Sequence, residues 1–523
     1  MNLTSPEHAT KGMETWHGDV HQTLQDFISV QKDTHRDKTE SACRRDLRVV
    51  DPQHDMERIE KSKDELLDDV YKWILRTQEY AAFTNWDSSG SNCPPRRLLW
   101  IKGHAGTGKT MLMIGLIRQL LQQPVTASPK LSFFFCQGTN EALNNATAVL
   151  RSLIWLLLLQ QPYLISHLLQ KYKESGADLF KDQNAFFALS EVFQNMLKDP
   201  QLSFIYLAID ALDECAEWRS KLIDLISTSL TLSQNVKWLI SSRPEVDLLA
   251  ALKDSGTNSL IELDTQYLAE PVNIYIDHKL TILKRSFGYN DSVLAEVSRE
   301  VRKRAENTFL WVALVFKELE EVYGWYAVER IKEMPPGLSE LYNHMITRIE
   351  NERKIKPQDC KTVLVVMSLA FRPLAISELS VLSDLPLDMA ETAVKMCGSF
   401  LTVANKTVNL IHQSAKDYLE DNFKLRLQAA GPAQGHSEIV RRSTNAMSSM
   451  LRRNIYNLDF GFKPKNMIPP DPDPLAPIRY SWQVRALWPG LPHTPQHRTF
   501  VRAPPALLLS GCVSYIPSPS TAF

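Results

Sequence analysis

Residues 98–117 read LLWIKGHAGTGKTMLMIGLI. An apolar run of strand length enters Gly103-His104-Ala105-Gly106-Thr107-Gly108-Lys109-Thr110, and an apolar helical pattern leaves it. This is the G-x-x-x-x-G-K-[ST] phosphate-binding loop in the strand–loop–helix setting that gives the motif its meaning. The glycines let the backbone turn tightly and bring N–H groups close to phosphate oxygens. The helix starting beside Gly108 directs the positive end of its dipole at the same anion. Lys109 supplies a flexible point charge for the β- and γ-phosphates, and the Thr110 hydroxyl supplies a ligand for Mg²⁺. The stretch predicts a nucleoside triphosphate site, formed by residues 103–110, on a parallel α/β sheet.

A phosphate loop needs a carboxylate on a neighbouring strand to hold Mg²⁺. FIYLAIDALDEC (204–215) places Asp210 after a run of apolar residues, so Asp210 and Thr110 are the expected Mg²⁺ residues. Asp213 and Glu214 follow one turn later, where a carboxylate can orient or deprotonate the attacking water. Which of the two does so stays open at this level. VKWLISSRPE (236–245) closes another strand with Arg243, at the carboxyl edge where ligands of such sheets bind. A planar, permanently charged fork there suits the γ-phosphate. The plainer alternative is a surface arginine paired with Glu245.

Working outward, LSFFFCQG (131–138) is another buried-strand pattern, and helical patterns separate these strands. Alternation of this kind predicts βαβ units and a parallel sheet, whose strands are continuously apolar because both faces are covered. The P-loop NTPase domain is expected over 46–265. Within it, 46–82 has a break at Asp51-Pro52 and then Ile59, Leu66, Leu67, Val70, Trp73 and Ile74 spaced for a helix packed on one face. Residues 87–97 read as a loop.

Residues 1–45 are polar apart from VHQTLQDFISV (20–30) and read as a leader or truncated effector region. Residues 266–350 read as a helical domain interrupted at Pro335-Pro336. Residues 351–425 read as helices followed by strand–turn–strand–helix, a winged-helix-like module. Residues 426–523 read as a helical segment and then a disordered tail, because thirteen of the 29 prolines fall between Pro464 and Pro519.

Bulk properties narrow the function. A formal net charge of −1 and a pI of about 6.9 over 523 residues offer no basic field for nucleic acid. Seven scattered cysteines without a C-x-x-C pair predict reduced thiols in a cytoplasmic protein, not a disulfide framework or a zinc site. The first thirty residues do not read as a signal peptide. The longest apolar run, LIWLLLL at 153–159, is too short to span a bilayer and reads as a core helix.

LLWIKGHAGTGKT, LAIDALDEC and WLISSRPE together resemble the three nucleotide motifs of the NACHT family. These are signal-transduction ATPases with numerous domains (the STAND class), similar to NOD-like immune receptors and AAA-like in fold. DLRVVDPQHDMERIE and NTFLWVALVFKEL resemble the fungal branch, which includes the heterokaryon-incompatibility proteins and a nephrocystin-like N-terminal NTPase region. The resemblance covers roughly 46–480 and implies a switch. The resting form holds ADP or GDP; exchange for ATP or GTP with Mg²⁺ opens it, and it then forms homo-oligomers that gather an effector protein in innate-immune-like signalling. In related receptors a winged-helix histidine contacts the β-phosphate of the bound diphosphate, and the matching segment LIHQSAKDYLED makes His412 the implied residue. The chain departs from the pattern where related receptors carry a Gly-x-Pro loop beside the adenine, since AENTFLWVAL lacks one. The family's effector domain and its WD or ankyrin repeats are also not recognisable.

A slow NTPase switch is thus the leading expectation. A non-catalytic nucleotide-binding scaffold or truncated receptor is the first alternative. A conventional P-loop enzyme, such as a kinase or remodelling motor, is the second.

Overall fold

The computed structural model describes residues 37–63, 66–86, 95–122, 129–246, 258–351, 356–404, 406–452, 455–456, 470 and 472–487. The amphipathic stretch expected at 20–30 and the end of the chain after 487 lie outside the described residues. The chain divides into two compact units. One comprises Met1–Gly138 and Ala142–Tyr275, the other Thr139–Glu141 and Ile276–Phe523.

The first unit is built on five parallel strands: β1 (Leu98–Lys102), β2 (Lys130–Phe135), β3 (Ile205–Asp210), β4 (Val236–Ser242) and β5 (Asn258–Glu262). Their order is β2-β3-β4-β1-β5. The inner strands are apolar on both faces, as the sequence requires; β3 and β4 are buried throughout. β4 lies between the strand that feeds the phosphate loop and the strand that ends in Asp210, with Leu98 opposite Trp238 and Ile205 opposite Val236. The apolar run 153–159 lies in the helix Ala146–Gln160, whose Leu153, Ile154, Leu157 and Leu158 are buried in the core beside Phe134, Leu207 and Trp238.

The break expected at Asp51-Pro52 is present, but the helix expected after it is not one element. Helix α1 spans 37–47, and α2 (Pro52–Ser62) is started by Asp51, whose carboxylate accepts the N–H groups of Gln53 and His54, with Pro52 in the first turn. After it come a short turn of helix at Asp68–Tyr71, a 3₁₀ segment at Lys72–Arg76 and a helix at Gln78–Thr84. Ile59 and Ile74 are buried, as the spacing suggested, but on separate pieces. Strand β5 has no counterpart in the sequence reading. Its NSLIE pattern is short, and Leu260 is exposed at the sheet edge.

The second unit begins in a run of helices, among them Asp291–Arg304, Phe309–Leu319, Gly324–Glu333 and Leu338–Glu350. Next come Pro357–Leu369, Ile376–Ser383 and Leu387–Met396, together with a three-stranded antiparallel sheet of β6 (Leu374–Ala375), β7 (Leu401–Ala404) and β8 (Thr407–Leu410) in the order β6-β8-β7. Order extends into part of the Pro-rich region: Arg479–Leu487 is helical, and Tyr480 stacks on Phe371 with centroids 4.4 Å apart. Glu378, 3% exposed, accepts the Tyr480 N–H at 2.9 Å and the Ala375 N–H at 2.8 Å while pairing with Arg372. One buried carboxylate therefore binds this late helix to the β6 turn.

Candidate functional site

The site is assembled in the first unit at the carboxyl edge of its sheet. Chain leaving β1 is held by the Gly103 N–H donating to the Ser242 carbonyl at 3.2 Å. Gly106 (φ 78°) and Gly108 (φ 84°) occupy the left-handed region, which favours glycine. A Cβ on Gly103 would lie 2.9 Å from Thr107 Oγ1 and 3.0 Å from Leu263 Cβ. Helix α3 (Lys109–Leu121) starts at Gly108 with no side-chain cap, so the N–H groups of its first turn suit an anion. The Lys109 ammonium donates to the carbonyls of Gly103 (2.6 Å) and His104 (2.9 Å), and Thr107 donates to the His104 carbonyl at 2.8 Å. Burial lowers the Lys109 pKa, against the raising effect of Asp213 and Asp210. Its charge is thus held beside these acids at a cost in hydration. His104 itself is exposed and Ala105 half-buried.

Asp210 ends β3 and is 2% exposed. Its Oδ1 accepts the Ser241 hydroxyl at 2.5 Å, and the Thr110 hydroxyl is a second partner. Burial raises its pKa, while the bonds from Ser241 and Thr110 and the charges of Lys63 and Lys109 oppose the rise. A buried carboxylate beside a threonine hydroxyl is the hard-oxygen pair that Mg²⁺ prefers, so these residues fit the ion the motif implies. Ala211 then turns through φ 52°, a conformation that costs a non-glycine residue about 1 kcal/mol or more. The turn leads into a 3₁₀ segment, Leu212–Glu214, which separates the roles of the next two acids.

Asp213 binds Arg243. The guanidinium Nε is 3.2 Å from Oδ2, and the Arg243 backbone N–H donates to Oδ1 at 3.0 Å. Glu214 instead accepts the Gly138 N–H at 2.7 Å, at the end of β2. Its pKa is pushed up to about 7, first by burial and then by Asp213 and Asp210, against the Gly138 hydrogen bond. The loop, Asp210, Asp213, Glu214 and Arg243 are therefore brought together. His412 lies in the second unit at the N-cap of the helix Gln413–Asp421. There Nδ1 accepts the Ser414 N–H at 3.1 Å and lies 2.9 Å from the Ser414 hydroxyl. That acceptor role places the proton of the neutral ring on Nε2.

Some participants were not read from the sequence. Ser241 bridges Asp210 and the Ala211 N–H; Gly138 holds Glu214; Lys63, at the end of α2, adds a cation that acts on Asp210 and Glu214. Helix α2 is clamped to this edge. Gln137 donates to Asp55 and accepts from Arg58, each at 2.9 Å, and Arg118 on α3 pairs with Glu60. Only the apolar-run-then-acid pattern is visible locally; Ser241 is 31 residues from Asp210, Gly138 76 from Glu214 and Lys63 147 from Asp210.

Comparison with known proteins agrees with this construction. The family model described as nephrocystin 3, N-terminal, matches residues 69–243. The vegetative incompatibility protein HET-E-1 of Podospora anserina is 37% identical over 466 residues, which is 84% of this chain and 34% of that protein. The chain thus spans about a third of the length of the curated relative it matches. Among solved structures, a Drosophila ORC bound to DNA shares 12% identity (73% of this chain, 90% of that one, TM-score 0.30). A singly substituted RuvB of Thermotoga maritima shares 13% (67% and 94%, TM-score 0.27). Likenesses this remote carry no argument; the fold class rests on the strand order and the loop.

Proposed function

Because this chain belongs to the NACHT-type P-loop NTPases, we propose that it is a nucleotide-dependent signalling switch that binds ATP or GTP, hydrolyses it slowly, and changes its self-association with the nucleotide held. The observation that carries the reading is the convergence on one sheet edge of the Gly103–Thr110 loop with Asp210 and Glu214. The backbone N–H groups of the loop and the first turn of α3 receive the phosphates, and Lys109 exchanges its two carbonyl partners for β- and γ-oxygens. Thr110 and Asp210 would hold Mg²⁺, which would supply positive charge against the phosphate oxygens.

Glu214 is the base of this reading. Its pKa of about 7 lets it take a proton from water near neutrality, and the Gly138 N–H fixes its direction. Asp213 is a positioning residue that aims Arg243 at the γ-phosphate. The diphosphate state is the resting one. The four helices between 357 and 421, with the small sheet β6-β8-β7, support the winged-helix reading. Reduced, buried thiols at the five described cysteines fit work in the cytosol. The effector is a protein gathered by the assembled form.

Binding of fluorescent ADP and of a non-hydrolysable triphosphate, with and without Mg²⁺, tests the reading on wild type and Lys109→Ala. Loss of either nucleotide's affinity by roughly 30-fold or more in the variant supports it. Equal affinity in both proteins overturns it. A rapid multiple-turnover rate without any change of mass favours the conventional-enzyme alternative.

A further inference from the structure

The second unit carries an aromatic cluster that the nucleotide reading does not use. Between the helices Phe309–Leu319 (α4) and Gly324–Glu333 (α5), the sequence EEVYGWYAVERIKE exposes three large rings: Tyr323 is 73% exposed, Trp325 79% and Tyr326 41%. Such exposure of adjacent aromatics is unfavourable in water and marks interaction surfaces. The rings are also ordered relative to each other. Tyr323 and Trp325 stack with centroids 4.7 Å apart and planes 4° apart, so they present a continuous π surface.

This surface is held from beneath. Buried Tyr289 donates its hydroxyl to the carbonyls of Leu319 and Val322, each at 2.7 Å, pinning the turn that joins the two helices. Ala327 and Ile331 bury the inner face of α5. A pinned turn loses little conformational freedom when a partner arrives.

In the segment 320–333, four glutamates outnumber two cations, Arg330 and Lys332. Glu321 and Glu329 are exposed, and Glu333 lies 3.4 Å from the Tyr326 hydroxyl. The Tyr326 pKa is raised, first by Glu333 and then by Glu329, which places both acids beside the phenol. Among the nearby cations, Arg330 is spent on Glu318 and Glu333, and Lys332 is the exposed one. Stacked π faces bordered by carboxylates suit a guanidinium or ammonium, which the ring quadrupole and the acids both attract.

We propose that Tyr323, Trp325 and Tyr326, with Glu321 and Glu329, form a docking surface for an arginine- or lysine-rich segment of a partner protein. A basic side chain lies over the Tyr323–Trp325 stack, and its neighbours pair with the two glutamates. The surface belongs to the second unit, whereas the phosphate loop is built in the first.

Fluorescence anisotropy on the full chain tests this, using a labelled ten-residue peptide of alternating Arg and Ser and its Glu–Ser counterpart. The Arg peptide is expected to bind, the Glu peptide not. Trp325→Ala should weaken the Arg peptide by about tenfold, Trp325→Phe should restore most of the loss, and Glu321→Gln with Glu329→Gln should flatten the salt dependence. Trp325 is a surface residue, and unchanged binding of fluorescent ADP serves as the folding control. The proposal is overturned if neither peptide binds, if both bind alike, or if Trp325→Ala leaves the Arg peptide's affinity unchanged. It is overturned also if the same substitution instead lowers the particle mass, because the occupant is then a second copy of this chain.

Discussion

Asp213 grips Arg243 twice, with Oδ2 3.2 Å from the guanidinium Nε and Oδ1 accepting the Arg243 backbone N–H at 3.0 Å. The pair ties the turn after β3 to the end of β4, and it commits Asp213 to orienting a cation. Glu214 is left as the acid for water. Arg243→Ala is therefore expected to slow single-turnover hydrolysis by roughly 100-fold or more while triphosphate affinity falls much less. Asp213→Ala combined with Arg243→Ala should be no slower than Arg243→Ala alone, because the carboxylate acts through the guanidinium. Rapid-quench measurements on the three variants check this. Additive losses would assign Asp213 a role of its own.

Glu214 sets the pH behaviour. With Glu214 as the proposed base, hydrolysis would need it deprotonated, so the wild-type single-turnover rate should rise with pH through about 7 and level off above it. Glu214→Gln should be slow and flat across the same range while still binding nucleotide.

The same group gives an opposite trend in stability. Its folded pKa of about 7 lies above its ordinary 4.5, so the folded protein holds this proton more tightly than the unfolded chain. The stabilisation is complete below about 4.5 and is lost as pH rises through about 7. Melting temperatures measured between those values without nucleotide should fall with pH in wild type relative to Glu214→Gln. Parallel curves for the two proteins would contradict the shift.

Gly115 on α3 faces the ring of Tyr71, and a Cβ there would lie 2.6 Å from two ring carbons. Gly115→Ala is expected to destabilise by about 1–3 kcal/mol through overpacking, despite alanine's better helix propensity. Urea unfolding, with Tyr71→Leu as the relieving second substitution, reads the effect.

Glu378 joins Arg372, the Ala375 N–H and the Tyr480 N–H in the second unit. Removing its charge by Glu378→Leu leaves the Ala375 and Tyr480 amides without their acceptor and Arg372 without its counter-ion, a loss of about 3–5 kcal/mol. Limited proteolysis should then cut near 472–487 well before wild type is cut.

Legibility followed the range of the interactions. The phosphate loop could be read because its chemistry is local: Gly106 and Gly108 take positive φ within the motif itself, and Lys109 and Thr110 are adjacent. Asp210 was marked by the apolar run before it. The division of labour between Asp213 and Glu214 was not legible, because it is decided by Arg243 and Gly138, 30 and 76 residues away. The break at Asp51-Pro52 is legible in the sequence, but the further division after Ser62 is not, because the apolar spacing stays helical where the chain turns. The packed helix 479–487 was hidden by the prolines around it, although Tyr480 and Ile478 are core residues.

The central claim is that this site sets the association state. Light scattering of the purified chain with ADP, and then with a non-hydrolysable triphosphate and Mg²⁺, tests it most directly. The account predicts a small particle with the diphosphate, a larger one with the triphosphate, and no response in Lys109→Ala. The same mass in both nucleotides, with binding verified, would contradict it.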